Sequence, residues 1–218
     1  MSLTSVTRQG LIRTGTFVAV GAFVAGRGFA DAPVDVTAPQ ADDRTLGNPK
    51  ARVTVIEYAS VGCPHCAKWA TDVFPAFRAK FIATGRVRFV LREVITGQAT
   101  LATAGFMLAR CAPPERYFDV VDGVFARQAA IFEGKISAGD ALTELAKSIG
   151  MDDDAFHACL TSQANLDEVN ARSDRHFSQD GVSSTPTFYV GERRLDGELS
   201  LAQLATAIAA AGSRRRRH

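Results

Sequence analysis

The chain has 218 residues, 46% of them hydrophobic and 22% charged, an ordinary globular composition with enough material for one large domain or two small ones. Lys and Arg total 25 against 23 Asp and Glu, but seven bases lie near the ends, in residues 1–30 and 214–217, so the body between carries 18 bases against 23 acids. A net negative body excludes the basic footprint of a nucleic-acid binder.

Residues 1–30 read as a cleavable export signal. Arg8 and Arg13 supply a positive start and no acid precedes Asp31. The stretch 14–26, rich in Val, Ala, Phe and Gly, falls short of the ~20 residues that a membrane-spanning helix needs. Gly28 and Ala30 place small residues at −3 and −1 of a cut after Ala30; an uncleaved anchor is the competing reading. The two arginines are not adjacent, which argues against a twin-arginine signal. Residues 31–45, rich in Ala, Pro and Asp, read as a short linker. It has no room for a long dimerisation stem, so a monomer is expected.

Residues 53–59 are apolar apart from Thr54, Glu57 and Tyr58, which suits a buried strand. A helix then runs from Cys63 to about residue 82, with Pro75 forcing a kink or break. Phe74, Phe77 and Phe81 are spaced for one apolar face and read as core. Thr84 and Gly85 end this helix, and residues 87–94 alternate apolar and charged as a strand does.

From 96 to 162 no strand is expected. Helices over 99–110, 115–129, 137–149 and 152–161 are separated by Pro113, Pro114, Gly134 and Gly150. A helix over 166–179, strands at 187–190 and 193–196, and an Ala-rich helix over 200–211 follow. Residues 213–218 form a basic tail that reads as solvated, with a weak attraction to anionic lipid headgroups as the sharper alternative. His157, His176 and His218 show no ligand spacing and read as surface residues.

The chemistry concentrates at Cys63-Pro64-His65-Cys66. Two cysteines three positions apart at a helix start put both sulfurs on one face. The helix N-terminus favours a thiolate there, and Pro64 suits the first helical position because its missing N–H would be unpaired anyway. The pair taken alone is either a redox dithiol or half of a zinc site. Cys111 and Cys159 are isolated from it and from each other and supply no second ligand pair.

Three motifs carry a resemblance. Cys63-Pro64-His65-Cys66 after the 53–59 strand, Thr185-Pro186 within residues 181–190, and Leu46-Gly47-Asn48-Pro49 before the first strand are similar to DsbA-type thiol-disulfide oxidoreductases, a branch of the thioredoxin fold. The resemblance spans residues 44–212. It implies an α/β thioredoxin fold, β-α-β then β-β-α around a mixed sheet, split over 46–95 and 165–212 by a helical insertion at 96–164. It further implies that Pro186 is a cis proline facing the sulfurs and that Glu57 is a buried acid tuning the thiols. An edge-facing, solvated Glu57 is the plainer alternative. Some such proteins also carry a structural disulfide in the helical insertion, which here pairs Cys111 with Cys159; two free buried thiols are the alternative.

These features imply an exported oxidase without a cofactor, acting on reduced or unfolded secreted proteins in the periplasm. Cys63 is the exposed nucleophile, Cys66 its shielded partner, His65 a donor beside them, and Thr185 a backbone partner for substrate. A quinone-linked membrane protein of the DsbB type is the implied re-oxidant. An isomerase or reductase of the same fold, and a periplasmic copper- or zinc-binding thiol protein, remain as alternatives.

Overall fold

The computed structural model describes residues 35–214; the export signal, the first residues of the expected linker, most of the basic tail and His218 lie outside them. Five strands form one mixed sheet in the order β1-β3-β2-β4-β5. They are β1 Arg44–Gly47, β2 Val53–Ala59, β3 Val87–Glu93, β4 Thr187–Val190 and β5 Arg193–Asp196. β2 and β3 run parallel, and the other pairings are antiparallel. Parallel neighbours need a crossover. Here it is α1 Pro64–Asp72, α2 Phe74–Phe77 and a π-helical turn Arg78–Ile82. The helix expected from Cys63 to residue 82 thus breaks at Val73, two residues before Pro75, where the ring would clash with the preceding turn.

The helical expectations place well. α3 Ala99–Cys111, α4 Tyr117–Phe132, α5 Ala138–Ser148 and α6 Asp153–Thr161 sit between β3 and α7 Gln163–Ser178, and α8 Leu201–Arg214 closes the described chain. The helices α5, α6 and α7 begin where Ser137, Asp152 and Ser162 accept from backbone N–H groups of the first turn. None of the described helices is long and apolar enough to cross a membrane.

Strand alternation sorts the sheet into two faces. Val53, Val55 and Ala59 face the main core with Phe89, Leu91, Phe188 and Val190, under α1, α4 and α8. Ile56, Tyr58 and Val90 face a smaller cluster with Tyr189 and Phe177. Trp69, Phe74, Phe77, Phe81 and Phe89 form a contiguous aromatic stack in the main core, so the three phenylalanines are core side chains as expected.

Three expectations need correction. Residues 31–45 are not a free linker along their described length: Arg44 and Thr45 belong to β1, and Asp42 and Asp43 pair with Arg175 and Arg92. Arg92, buried, donates to Asp43, to the carbonyls of Val36 and Ala38, and to the Tyr58 hydroxyl, tying this segment onto β3. Second, the alternation of residues 87–94 suggests a half-solvated strand, yet Arg92 and Glu93 are both buried. Glu93 accepts from Arg110, Arg172 and the Tyr117 hydroxyl, which satisfies the charge that burial would otherwise make costly. Third, His176 is not a surface residue. It is buried, and its Nδ1 lies 2.6 Å from the Glu93 carbonyl, which can only accept, so Nδ1 carries the proton. Burial holds its pKa below the ordinary value.

Candidate active site

The buried strand β2 delivers the chain to the site. It ends at Ala59, and the turn 60–62 places Cys63 as the N-cap of α1 in extended conformation (φ −97°, ψ 122°). Asn, Asp, Ser or Thr normally caps this position with an oxygen. Here no side-chain oxygen does, Pro64 follows at the first helical positions, and the sulfur receives the backbone N–H groups of Cys66 and His65. Helix N-termini leave these donors free, and they favour an anion. A hydrogen bond from the Cys66 thiol is the largest influence, and together these outweigh burial and bring Cys63 down to about 5. Cys63 is 7% exposed and Cys66 not at all, so the sulfur expected to be open is nearly covered and the shielded one is sealed. Burial, the shared hydrogen bond and the Glu57 charge all push the Cys66 thiol far up. Two sulfurs one helical turn apart thus acquire opposite preferences.

The Thr185–Pro186 peptide is cis, and the Thr185 carbonyl lies 3.5 Å from Cys63 Sγ. Pro186 is buried and Thr185 half-buried. The Thr185 hydroxyl sits 2.8 Å from the Thr96 hydroxyl. His65 is exposed, and its Nδ1 lies 2.6 Å from Glu198 Oε1. That hydrogen bond, with the Cys63 charge behind it, raises the His65 pKa. Glu57 is buried at 2% exposure, which removes the edge-facing, solvated alternative. Burial raises its pKa well above the carboxylate range, with Asp122 and Cys63 adding to the effect.

The sequence reading missed the residues that hold the cysteine turn. Ser60 Oγ donates to the Thr96 carbonyl and accepts from Gly62 N–H; Gln98 N–H donates to the Gly62 carbonyl. Gly62 and Gly97 allow this approach, since a Cβ on either would strike backbone of the facing segment. Gln128, buried on α4, donates from Nε2 to the carbonyls of Val61 (2.7 Å) and Cys63 (3.2 Å). Trp69 Nε1 donates to the Leu199 carbonyl, which brings the Glu198 loop alongside α1. A polar Gln in the apolar pattern of 115–129 was the available signal for one of these; Ser60, Thr96 and Gln98 carry none.

Cys111 and Cys159 stand apart from this site, joined in a disulfide between α3 and α6. Cys63 and Cys66 are both free thiols. Among the described residues no cluster of three or more His, Cys, Asp or Glu is placed to hold a metal ion.

A family model described as Thioredoxin matches residues 40–210. A Rickettsia felis protein bearing a provisional protein-disulfide oxidoreductase name is 29% identical over 81% of this chain and 63% of its own length. Disulfide bond formation protein D of Bacillus subtilis is 27% identical over 68% of this chain and 67% of its own. The chain therefore spans less than two thirds of the Rickettsia relative. Among solved structures, Wolbachia pipientis alpha-DsbA1 superposes with a TM-score of 0.73 at 24% identity, covering 81% of this chain and 94% of the other. At that identity the likeness establishes the fold.

Proposed function

The chain belongs to the thioredoxin family, and from that premise we propose that it is an exported thiol-disulfide oxidoreductase which oxidises dithiols in other proteins. The observation that carries this reading is Cys63 standing as the N-cap of α1 with the Thr185 carbonyl 3.5 Å from its sulfur. In the disulfide form a substrate thiolate attacks Cys63; the Cys63–Cys66 bond breaks and its electron pair goes to Cys66, which takes up a proton. A second substrate thiolate attacks the substrate sulfur of the mixed disulfide, and Cys63 leaves as a thiolate. A good leaving group speeds release, and a stabilised thiolate makes the disulfide form a stronger oxidant. His65 with Glu198 supports the anion from the exposed side, and Glu57 is the acid that supplies the Cys66 proton. Pro186 holds Thr185 beside the sulfur, where substrate backbone can pair in extended form.

Several finer assignments belong to the same reading. The protein works in the periplasm after removal of residues 1–30, which agrees with a disulfide between Cys111 and Cys159. Its thioredoxin-like domain spans 46–95 and 165–212 around the helical insertion 96–164, it acts as a monomer, its substrates are reduced secreted proteins, and a DsbB-type membrane partner re-oxidises it.

The test pairs two measurements. Oxidised protein is mixed with a reduced dithiol peptide and the peptide disulfide is followed, while alkylation of Cys63 is titrated in the dithiol form. Peptide oxidation with an alkylation midpoint near 5 is expected. A midpoint near that of a free thiol with the peptide left reduced would sink the oxidase reading and favour a reductase.

A further inference from the structure

A small cavity lies between α1, α4 and the strands β2 and β3. Its volume is about 10 Å³, and the ionisable groups lining it are Glu57 and Asp122. The other walls are apolar, among them Trp69, Ala70, Phe74 and Phe118. Glu57 Oε1 is buried and finds no hydrogen-bond partner among the described residues. A cavity of ~10–15 Å³ takes one water when at least two polar partners face it. Two carboxyls in the lining meet that condition, and an unpartnered buried oxygen needs it.

Asp122 also reaches outward: 37% of its side chain is exposed, and Oδ2 lies 3.5 Å from Arg78. It shares a face of α4 with Phe118 and Phe125, at i−4 and i+3, so it stands as an acid in the stripe that packs on α1.

We infer that Asp122 and the cavity water form the proton exit between Glu57 and solvent, through which Glu57 is recharged each time it serves the sealed Cys66. The inference rests on the proposed thiol exchange. As the Cys63–Cys66 bond breaks under attack by the substrate thiolate, Cys66 Sγ takes the electron pair and the Glu57 proton, leaving a thiol and a buried carboxylate. That carboxylate takes a proton from the cavity water, the water takes one from Asp122, and Asp122 takes one from bulk solvent. When the enzyme is returned to its disulfide by a membrane disulfide oxidant, the same protons run outward. Asp122 touches no reacting atom and is a positioning residue.

The charged groups around Asp122 are Glu57 in the same cavity lining, Arg78 at the surface and Asp119 on its own helix; burial is the main influence, and its pKa stands at about 6. The test follows the fluorescence of Trp69, the single tryptophan, in stopped flow. Oxidised wild type, Asp122→Asn and Asp122→Glu are each mixed with a reduced dithiol peptide from pH 5 to 8. Asp122→Asn is expected to leave the first exchange in place, since Glu57 starts with its proton on, and to slow at least about tenfold the proton uptake that follows it, read with a pH indicator dye in the same mixing, below the ~10²–10⁴ that a lost general acid costs. Because peptide ionisation cancels in the ratio of wild-type to variant rates, that ratio is expected to fall as pH climbs past about 6. Asp122→Glu is expected to recover most of the rate, and the Cys63 alkylation midpoint to stay put in all three. Ala70→Val, which fills the cavity and leaves both acids in place, is expected to slow that uptake as Asp122→Asn does.

Proton uptake in Asp122→Asn with the wild-type rate and pH dependence would overturn the inference, as would slowing matched by a shifted Cys63 midpoint. A wild type that does not react with the peptide at all would instead remove the proposed function beneath it.

Discussion

The thiolate of Cys63 should make the dithiol protein more stable as pH rises, and by a calculable amount. In the folded dithiol this sulfur titrates at about 5, whereas an unfolded cysteine titrates near ~8.5. Between these values the folded group has lost its proton and the unfolded one has kept it. The unfolded state therefore binds more protons, and stability climbs by about 1.4 kcal/mol per pH unit. The contribution is fully present above ~8.5, about 3 kcal/mol at pH 7, and under ~0.5 kcal/mol at pH 5. Cys63→Ser removes the titration, and with it the pull of the Cys63 charge on His65 and Glu57. Unfolding of the dithiol wild type and of Cys63→Ser is followed by circular dichroism without reductant, so that Cys111–Cys159 stays closed; titrations of groups that do not feel Cys63 cancel. The wild-type advantage should grow by about 2 kcal/mol from pH 5 to 7, or roughly 4–8 °C in Tm for a domain of this size. Curves that run parallel across that range would refute the argument, whatever their absolute separation.

Other consequences are separately measurable. Gln128→Ala leaves the carbonyls of Val61 and Cys63 without their donor, and should cost about 2 kcal/mol in urea unfolding and shift the Cys63 alkylation midpoint. Opening the 48-residue loop with Cys111→Ser and Cys159→Ser together should cost up to ~4 kcal/mol, while peptide oxidation below the new Tm continues at the wild-type rate. Glu198→Gln removes the largest influence raising His65, so an NMR titration of the ring should move toward the ordinary histidine value.

The sheet and most helices were legible because their patterns are local. Residues 187–190 and 193–196 coincide with β4 and β5, and the Pro and Gly punctuation of the insertion marks its helix boundaries within a few residues. The cysteine turn was equally plain, since its chemistry follows from two sulfurs at a helix start. What escaped is long-range. The linker reading reaches into β1 at Arg44 and Thr45 because Arg44-Thr45-Leu46-Gly47 has no alternation of its own; the strand forms because β3 offers a free edge and Arg92 draws Asp43 inward. His176, with no ligand partner in sequence, is buried by a carbonyl supplied from β3, 83 positions away. Thr96 carries no signal in sequence and Gln128 only its polarity within an apolar helix pattern; both matter because the 96–98 segment and α4 meet the turn 60–63.

The opposite preferences of the two sulfurs follow from where α1 sits, and neither residue's own chemistry would produce them. At the N-cap, Cys63 collects N–H groups that no other partner claims. One turn on, Cys66 has entered the helix, whose N–H groups are already committed, and faces the core beneath the sheet. Anything negative placed there is penalised twice, by burial and by its neighbour. Strand alternation then fixes which β2 side chain meets that buried sulfur: Val55, Glu57 and Ala59 share the face under α1, while Ile56 and Tyr58 point the other way. An acid one position along β2 would have joined Tyr58 and Arg92 on the far side and become part of an ion pair. At position 57 no cation among the described residues neutralises it, so burial holds its proton on, and a protonated acid beside Cys66 is the form able to complete the reduction of that sulfur.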